Sequence, residues 1–110
     1  MLVNPQLPGD SFFWPGSGAN AGTGVLLSHG FCATTAEVRP LAQRLNAAGY
    51  SVAGPLLPGH KTTPADLASK RWQDWVAAFD ETYTQLKKSC DRVIVGGESM
   101  GGLLALYHAS

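Results

Sequence analysis

The chain is 110 residues long, and its eight basic and eight acidic side chains leave a formal net charge of zero. That balance excludes the electrostatic footprint that nucleic acid or an anionic membrane surface requires, and no apolar run approaches the ~18 residues of a membrane span. With 45% hydrophobic and 15% charged residues, the chain is apolar for its size, which fits a sheet covered by helices on both faces.

In chain order, residues 1–10 read as a loose arm. Met1-Leu-Val-Asn-Pro-Gln has no basic stretch followed by an apolar core, so no secretory signal is expected. Phe12-Phe13-Trp14 is a short strand, and Pro15 to Gly24 is a turn rich in Gly, Ser and Asn. Val25-Leu26-Leu27-Ser28 predicts a buried strand over 25–29 that ends in His29-Gly30-Phe31. Thr34 and Glu37 have the spacing of a capping box. Pro40 conflicts with an uninterrupted helix from there, so a helix is predicted from Pro40 to Ala48, with Leu41 and Leu45 on one face and Gly49 past its end. Ser51 to Gly54 gives a second parallel strand. Loop residues 55–63 follow, then a single turn, Pro64-Ala-Asp-Leu67, capped by Thr63.

The next helix has the clearest pattern. Trp72, Trp75, Val76, Phe79, Tyr83 and Leu86 recur at i, i+3, i+4, i+7, i+11 and i+14, a continuous apolar stripe expected to pack on the sheet rather than to serve as a ligand platform. A third parallel strand, 92–96, contains Val93-Ile94-Val95. It leads into Gly97-Glu98-Ser99-Met100-Gly101 and a helix through Leu103-Leu104-Ala105-Leu106-Tyr107.

A G-x-S-x-G between a β-branched strand and a helix is the context of a nucleophile elbow. The serine must stand on a very sharp turn, and the residues two before and two after it must be tiny because strand and helix backbones close on each other. Gly97 and Gly101 meet that demand, and Ser99 becomes the candidate nucleophile. Acyl transfer through a serine also needs two preorganised N–H donors for the tetrahedral oxyanion. One is assigned to Met100, at the positive start of a helix; the other is assigned to Phe31, in the loop after an earlier central strand. His29 and Gly30 take structural roles in that loop. Two cysteines, Cys32 and Cys90, are too few for a disulfide framework and suit a reducing compartment, hence a cytoplasmic location. Cys32 is read as a buried or half-buried structural thiol rather than a nucleophile. No metal or cofactor is expected.

These pieces resemble the α/β-hydrolase superfamily, and within it the bacterial carboxylesterase and monoacylglycerol-lipase-like group. The matching segments are Gly24-Val-Leu-Leu-Ser-His-Gly-Phe31, Glu37-Val-Arg-Pro-Leu41, Leu45 to Gly49-Tyr50, Pro55 to Pro58-Gly59-His60, Trp72-Gln-Asp-Trp75 and Gly97-Glu-Ser-Met-Gly-Gly-Leu103. Lys61 departs from the group, which usually has glycine after Pro-Gly-His, and Cys32 replaces a small polar residue. The resemblance implies a three-layer α/β-hydrolase fold with strand order 12–14, 51–54, 25–29, 92–96. It also implies a triad running Ser, then Asp or Glu, then His along the chain.

After Ser99 there is no Asp or Glu, and the only later histidine is His108. It lies nine residues on along the same predicted helix, roughly 13 Å up its axis, and is read as an ordinary helix residue; His60, like His29, is read as structural. The expectation is therefore that residues 1–110 form the N-terminal part of a single α/β-hydrolase domain, with the triad acid and base encoded downstream. The strand leading to Ser99 would then be an exposed apolar edge through which the fragment could associate. The resemblance implies a serine carboxylic-ester hydrolase acting on small-molecule acyl esters. The alternative class is a non-catalytic hydrolase-derived structural or interaction fragment, and thioesterase, peptidase and acyltransferase activities share the same catalytic parts.

Overall fold

Side chains alternate across a strand, and in a computed structural model that describes residues 7–110 this alternation sorts the chain into layers. Met1 to Gln6 of the expected arm lie outside the described residues. The sheet comprises β1 (Phe12–Trp14), β2 (Thr23–Ser28), β3 (Ser51–Gly54) and β4 (Arg92–Gly97), in the order β1-β3-β2-β4. Only β1 is antiparallel to its neighbour. The helices are α1 (Arg39–Ala47), α2 (Pro64–Ala68), α3 (Trp72–Ser89) and α4 (Met100–Ala109), with 3₁₀ turns at Gly18–Asn20 and Thr35–Glu37.

Val25 and Leu27 of β2 and Val52 of β3 point to one side, where Val38, Ala42 and Leu45 cover them. Leu26 and Ala53 point to the other side, onto Phe79 and Leu86 of α3 and Leu104 and Ala105 of α4. Helices thus cover both faces of a mostly parallel sheet, the three-layer arrangement expected from the sequence. No helix of the described residues is long and apolar enough to cross a membrane.

Several local expectations are corrected. Thr34 does cap, but it caps the 3₁₀ turn by accepting from the Ala36 N–H, and the Glu37 carboxylate turns away to the Gly30 N–H; no capping box forms. Helix α1 begins one residue before Pro40, and it is rotated so that Val38, Ala42 and Leu45 face the sheet. Leu41 is 55% exposed, because its neighbour Ala42 occupies the contact with β2 and β3. In α3 the stripe enters the core only from Trp75 onward. Trp72 packs edge-on against Tyr107 of α4 at 5.6 Å instead of on the sheet. The end of the supposed loose arm is tied down: the Asp10 carbonyl accepts from Thr35 Oγ1 and from Arg39.

Candidate active site

Parallel pairing sets the geometry of the site. Ser28 of β2 stands opposite Gly97 of β4, so the two chains leave the sheet side by side, and the Glu98 N–H extends the ladder by donating to the Ser28 carbonyl at 3.0 Å. Ser99 follows at φ +50°, ψ −116°, a region that L-residues rarely occupy. Helix α4 starts at the very next residue. A turn this tight needs the two flanking glycines. A Cβ on Gly97 would overlap the Gly101 backbone, and one on Gly101 would overlap the carbonyls of Ser28 and His29. Ser99 itself is exposed.

The loop after β2 passes against this turn. A Cβ on Gly30 would lie 3.4 Å from the Ser99 Cβ and 3.2 Å from the Glu98 carbonyl, so glycine permits the approach. Neither the Phe31 nor the Met100 N–H donates to another described residue. His29 is fully buried. Its Nδ1 is 2.8 Å from the Gly30 carbonyl, which can only accept, and its Nε2 receives the Leu57 N–H at 3.0 Å. These partners fix the neutral tautomer with the proton on Nδ1. Burial pushes its pKa below the usual 6.5, against smaller upward contributions from the Gly30 hydrogen bond and the Glu37 charge.

Around the loop stands an aromatic group. The Phe31 ring is half exposed and meets Trp75 and His60 edge-on at 5.8 Å each. Trp75 donates its indole N–H to the Pro58 carbonyl at 2.9 Å. His60 is buried, with Nδ1 3.3 Å from the same carbonyl and no partner for Nε2 among the described residues. Lys61 has φ +60°, the conformation glycine adopts freely. Its ammonium pairs with the Asp10 carboxylate at 2.7 Å and holds that carboxyl below the usual range.

Elsewhere the sequence reading needs amendment. Cys32 is exposed, not buried. It sits at φ +63° in the turn closed by Ala33 N–H donating to the Gly30 carbonyl. His108 joins α4 to α3, with Nδ1 2.8 Å from Asp80 Oδ1 and its ring against Tyr83. Glu37, which sequence reasoning treated only as a capping residue, holds the loop beside Ser99 through a 2.8 Å bond from the Gly30 N–H. An open apolar groove of about 510 Å³ runs beside Ser99, lined by Val95, Gly96, Leu103 and Leu106 among others. Its walls are the free edge of β4 and one side of α4, so it is an uncovered sheet edge rather than an enclosed acyl pocket. Among the described residues no cluster of His, Cys, Asp and Glu is arranged to hold a metal.

Residues 19–110 match a family described as serine aminopeptidase, S33. The chain belongs to this α/β-hydrolase family. It is 43% identical over 107 residues to a thermostable monoacylglycerol lipase of Bacillus sp. (strain H-257), covering 97% of this chain and 43% of that protein. Over 83 residues it is 36% identical to a carboxylesterase of Bacillus subtilis (strain 168), covering 74% of this chain and 34% of the relative. A solved structure from work on two metagenome-derived lipolytic enzymes, LipS and LipT, superposes with a TM-score of 0.86 at 40% identity. That match covers 94% of this chain and 41% of the other. The chain thus spans well under half the length of each of these relatives.

Proposed function

We propose that the chain carries the nucleophile and the oxyanion site of a serine carboxylic-ester hydrolase whose substrates are small-molecule acyl esters. The single observation that carries this reading is the geometry at Ser99. An exposed serine in a strained backbone conformation, between a strand and a helix, stands against the glycine of the neighbouring loop. In this reading Ser99 Oγ attacks the ester carbonyl carbon, and the carbonyl π pair moves onto oxygen. The resulting alkoxide is received by the N–H groups of Phe31 and Met100. Collapse expels the alcohol and leaves the acyl group on Ser99, from which water releases the acid.

A histidine must take the Ser99 proton and return it to the leaving alcohol, with a carboxylate to orient it. Of the three histidines here, His29 has both ring nitrogens engaged and His108 is paired with Asp80. His60 is buried among His29, Phe31 and Trp75, with Nδ1 against Pro58 and no hydrogen bond to Ser99. The base and its acid belong, in this proposal, to sequence outside these 110 residues, which form the first part of a single hydrolase domain. The two free cysteines support a cytoplasmic setting.

Turnover of p-nitrophenyl butyrate by the full-length protein tests the reading. Ser99→Ala should reduce kcat by about 10⁴- to 10⁶-fold with the fold intact, and near-normal activity in that variant would remove Ser99 from the mechanism. The family's description as a serine aminopeptidase favours a second reading, peptide-bond hydrolysis by the same serine. An aminoacyl p-nitroanilide assayed in parallel distinguishes the two, and the ester should be the better substrate.

A further inference from the structure

Gly30 is the hinge of the loop that faces Ser99, and glycine leaves the two peptide units on either side of it free to rotate. Each is held by a different side chain. In the unit that joins Gly30 to Phe31, the Gly30 carbonyl accepts from His29 Nδ1–H at 2.8 Å and from the Ala33 N–H at 3.2 Å. A trans peptide is planar with its N–H antiparallel to its C=O, so holding that carbonyl aims the Phe31 N–H in the opposite direction. In the unit that joins His29 to Gly30, the N–H donates to Glu37 Oε1 at 2.8 Å. Both bonds to the Gly30 carbonyl come from within the loop, whereas the Glu37 bond ties the loop to the 3₁₀ turn at Thr35–Glu37; without it the loop, and the Phe31 N–H with it, is free to shift relative to Ser99.

The placement of Glu37 argues against a purely helical role. Its spacing from Thr34 suits a capping box, yet Thr34 receives Ala36 and Glu37 reaches seven residues back to the loop. It is exposed, so the bond does not serve to bury the side chain. A charge-assisted bond from a backbone N–H is short and directional, which suits it to fixing an orientation.

Resting on the reading of Ser99 as nucleophile and Phe31 as oxyanion donor, we infer that Glu37 is a positioning residue for the reaction: its carboxylate fixes the Gly30 peptide so that the Phe31 N–H meets the alkoxide. The donor acts on the alkoxide and not on the ground-state ester, so misaiming it lowers kcat and leaves KM in place.

Steady-state hydrolysis of p-nitrophenyl butyrate by the full-length protein, with Ser99→Ala run in parallel, is the test. Glu37→Ala should lose about 10- to 100-fold in kcat with KM unchanged. Glu37→Gln keeps an acceptor oxygen at the same reach and should return kcat to within about fivefold of wild type. Glu37→Asp keeps the charge but is one methylene short, and should fall with Glu37→Ala. Wild-type kcat in Glu37→Ala, or a Gln variant no better than Ala, overturns the inference. If Glu37→Ala does not fold, the Gln and Asp pair decides, and equal kcat in those two overturns it. Activity retained by Ser99→Ala overturns the underlying reading instead, so the two failures are distinguishable.

Discussion

Gly101 lies where α4 crosses the end of β2, and a methyl group there has only backbone to displace. A Cβ would overlap the Ser28 carbonyl, so Gly101→Ala should destabilise the protein by about 3 kcal/mol, read as a lower urea midpoint. Gly18 provides the contrast: its φ is +68° and nothing lies within 4 Å of an added Cβ. Gly18→Ala should cost only the ~1 kcal/mol of a left-handed backbone. His29 makes stability depend on pH. Burial places its folded pKa below 6.5. Above pH 6.5 the imidazole is neutral in both folded and unfolded chains, and its contribution is complete. As pH falls from 6.5 towards the folded pKa, the unfolded chain takes up a proton that the folded one refuses, and stability drops. The urea midpoint should therefore decline from pH 7 to 5.5, and His29→Asn should flatten that decline. An equally steep decline in the variant would assign it to another group.

Helix α3 shows how far a periodic pattern reaches at the scale of one element. Phe79 is 1% exposed and Trp72 is 52% exposed, although both belong to the same stripe. Phe79→Ala should cost about 3–5 kcal/mol, whereas Trp72→Ala should cost clearly less, since about half of its side chain is already in water. Thermal unfolding of both variants checks the ranking, and equal losses would contradict it. The existence of α3 and the bounds of β3 were legible because apolar spacing and the Gly49 stop act locally; β2 was legible too, although it begins at Thr23, within the segment read as a turn. The rotation of α1 was not. Leu41 and Leu45 form as good an i, i+4 pair as Val38 and Ala42, and the small Ala42 side chain gives a weak hydrophobic signal although the contact with the sheet needs its size. At the site, the serine turn was legible from its glycines and flanking elements. The destination of Glu37 was not, because its bond depends on a loop folding back seven residues, and neither was the exposure of Cys32, which follows from a left-handed turn.

At the scale of the molecule, three parallel strands bring their carboxyl ends together and so collect Ser99, the His29–Phe31 loop and the Leu57–His60 loop on one rim, where ligands of open α/β sheets bind. The far edge of that sheet is β4. Its Ile94 is 51% exposed on the α1 side, and on the opposite face Leu103 and Leu106 of α4 are 67% and 71% exposed next to Val95. The 110-residue chain should associate through this edge. Sedimentation velocity should show oligomers that Ile94→Lys reduces, and a stable monomer at high concentration would contradict that. The central claim, that Ser99 becomes acylated, is tested most directly by treating the full-length protein with a fluorophosphonate and weighing the tryptic peptide that begins at Val93. The account predicts one phosphonyl adduct on Ser99 and loss of ester turnover in proportion to labelling. An adduct on a different residue, or turnover that persists with Ser99 fully labelled, would contradict it.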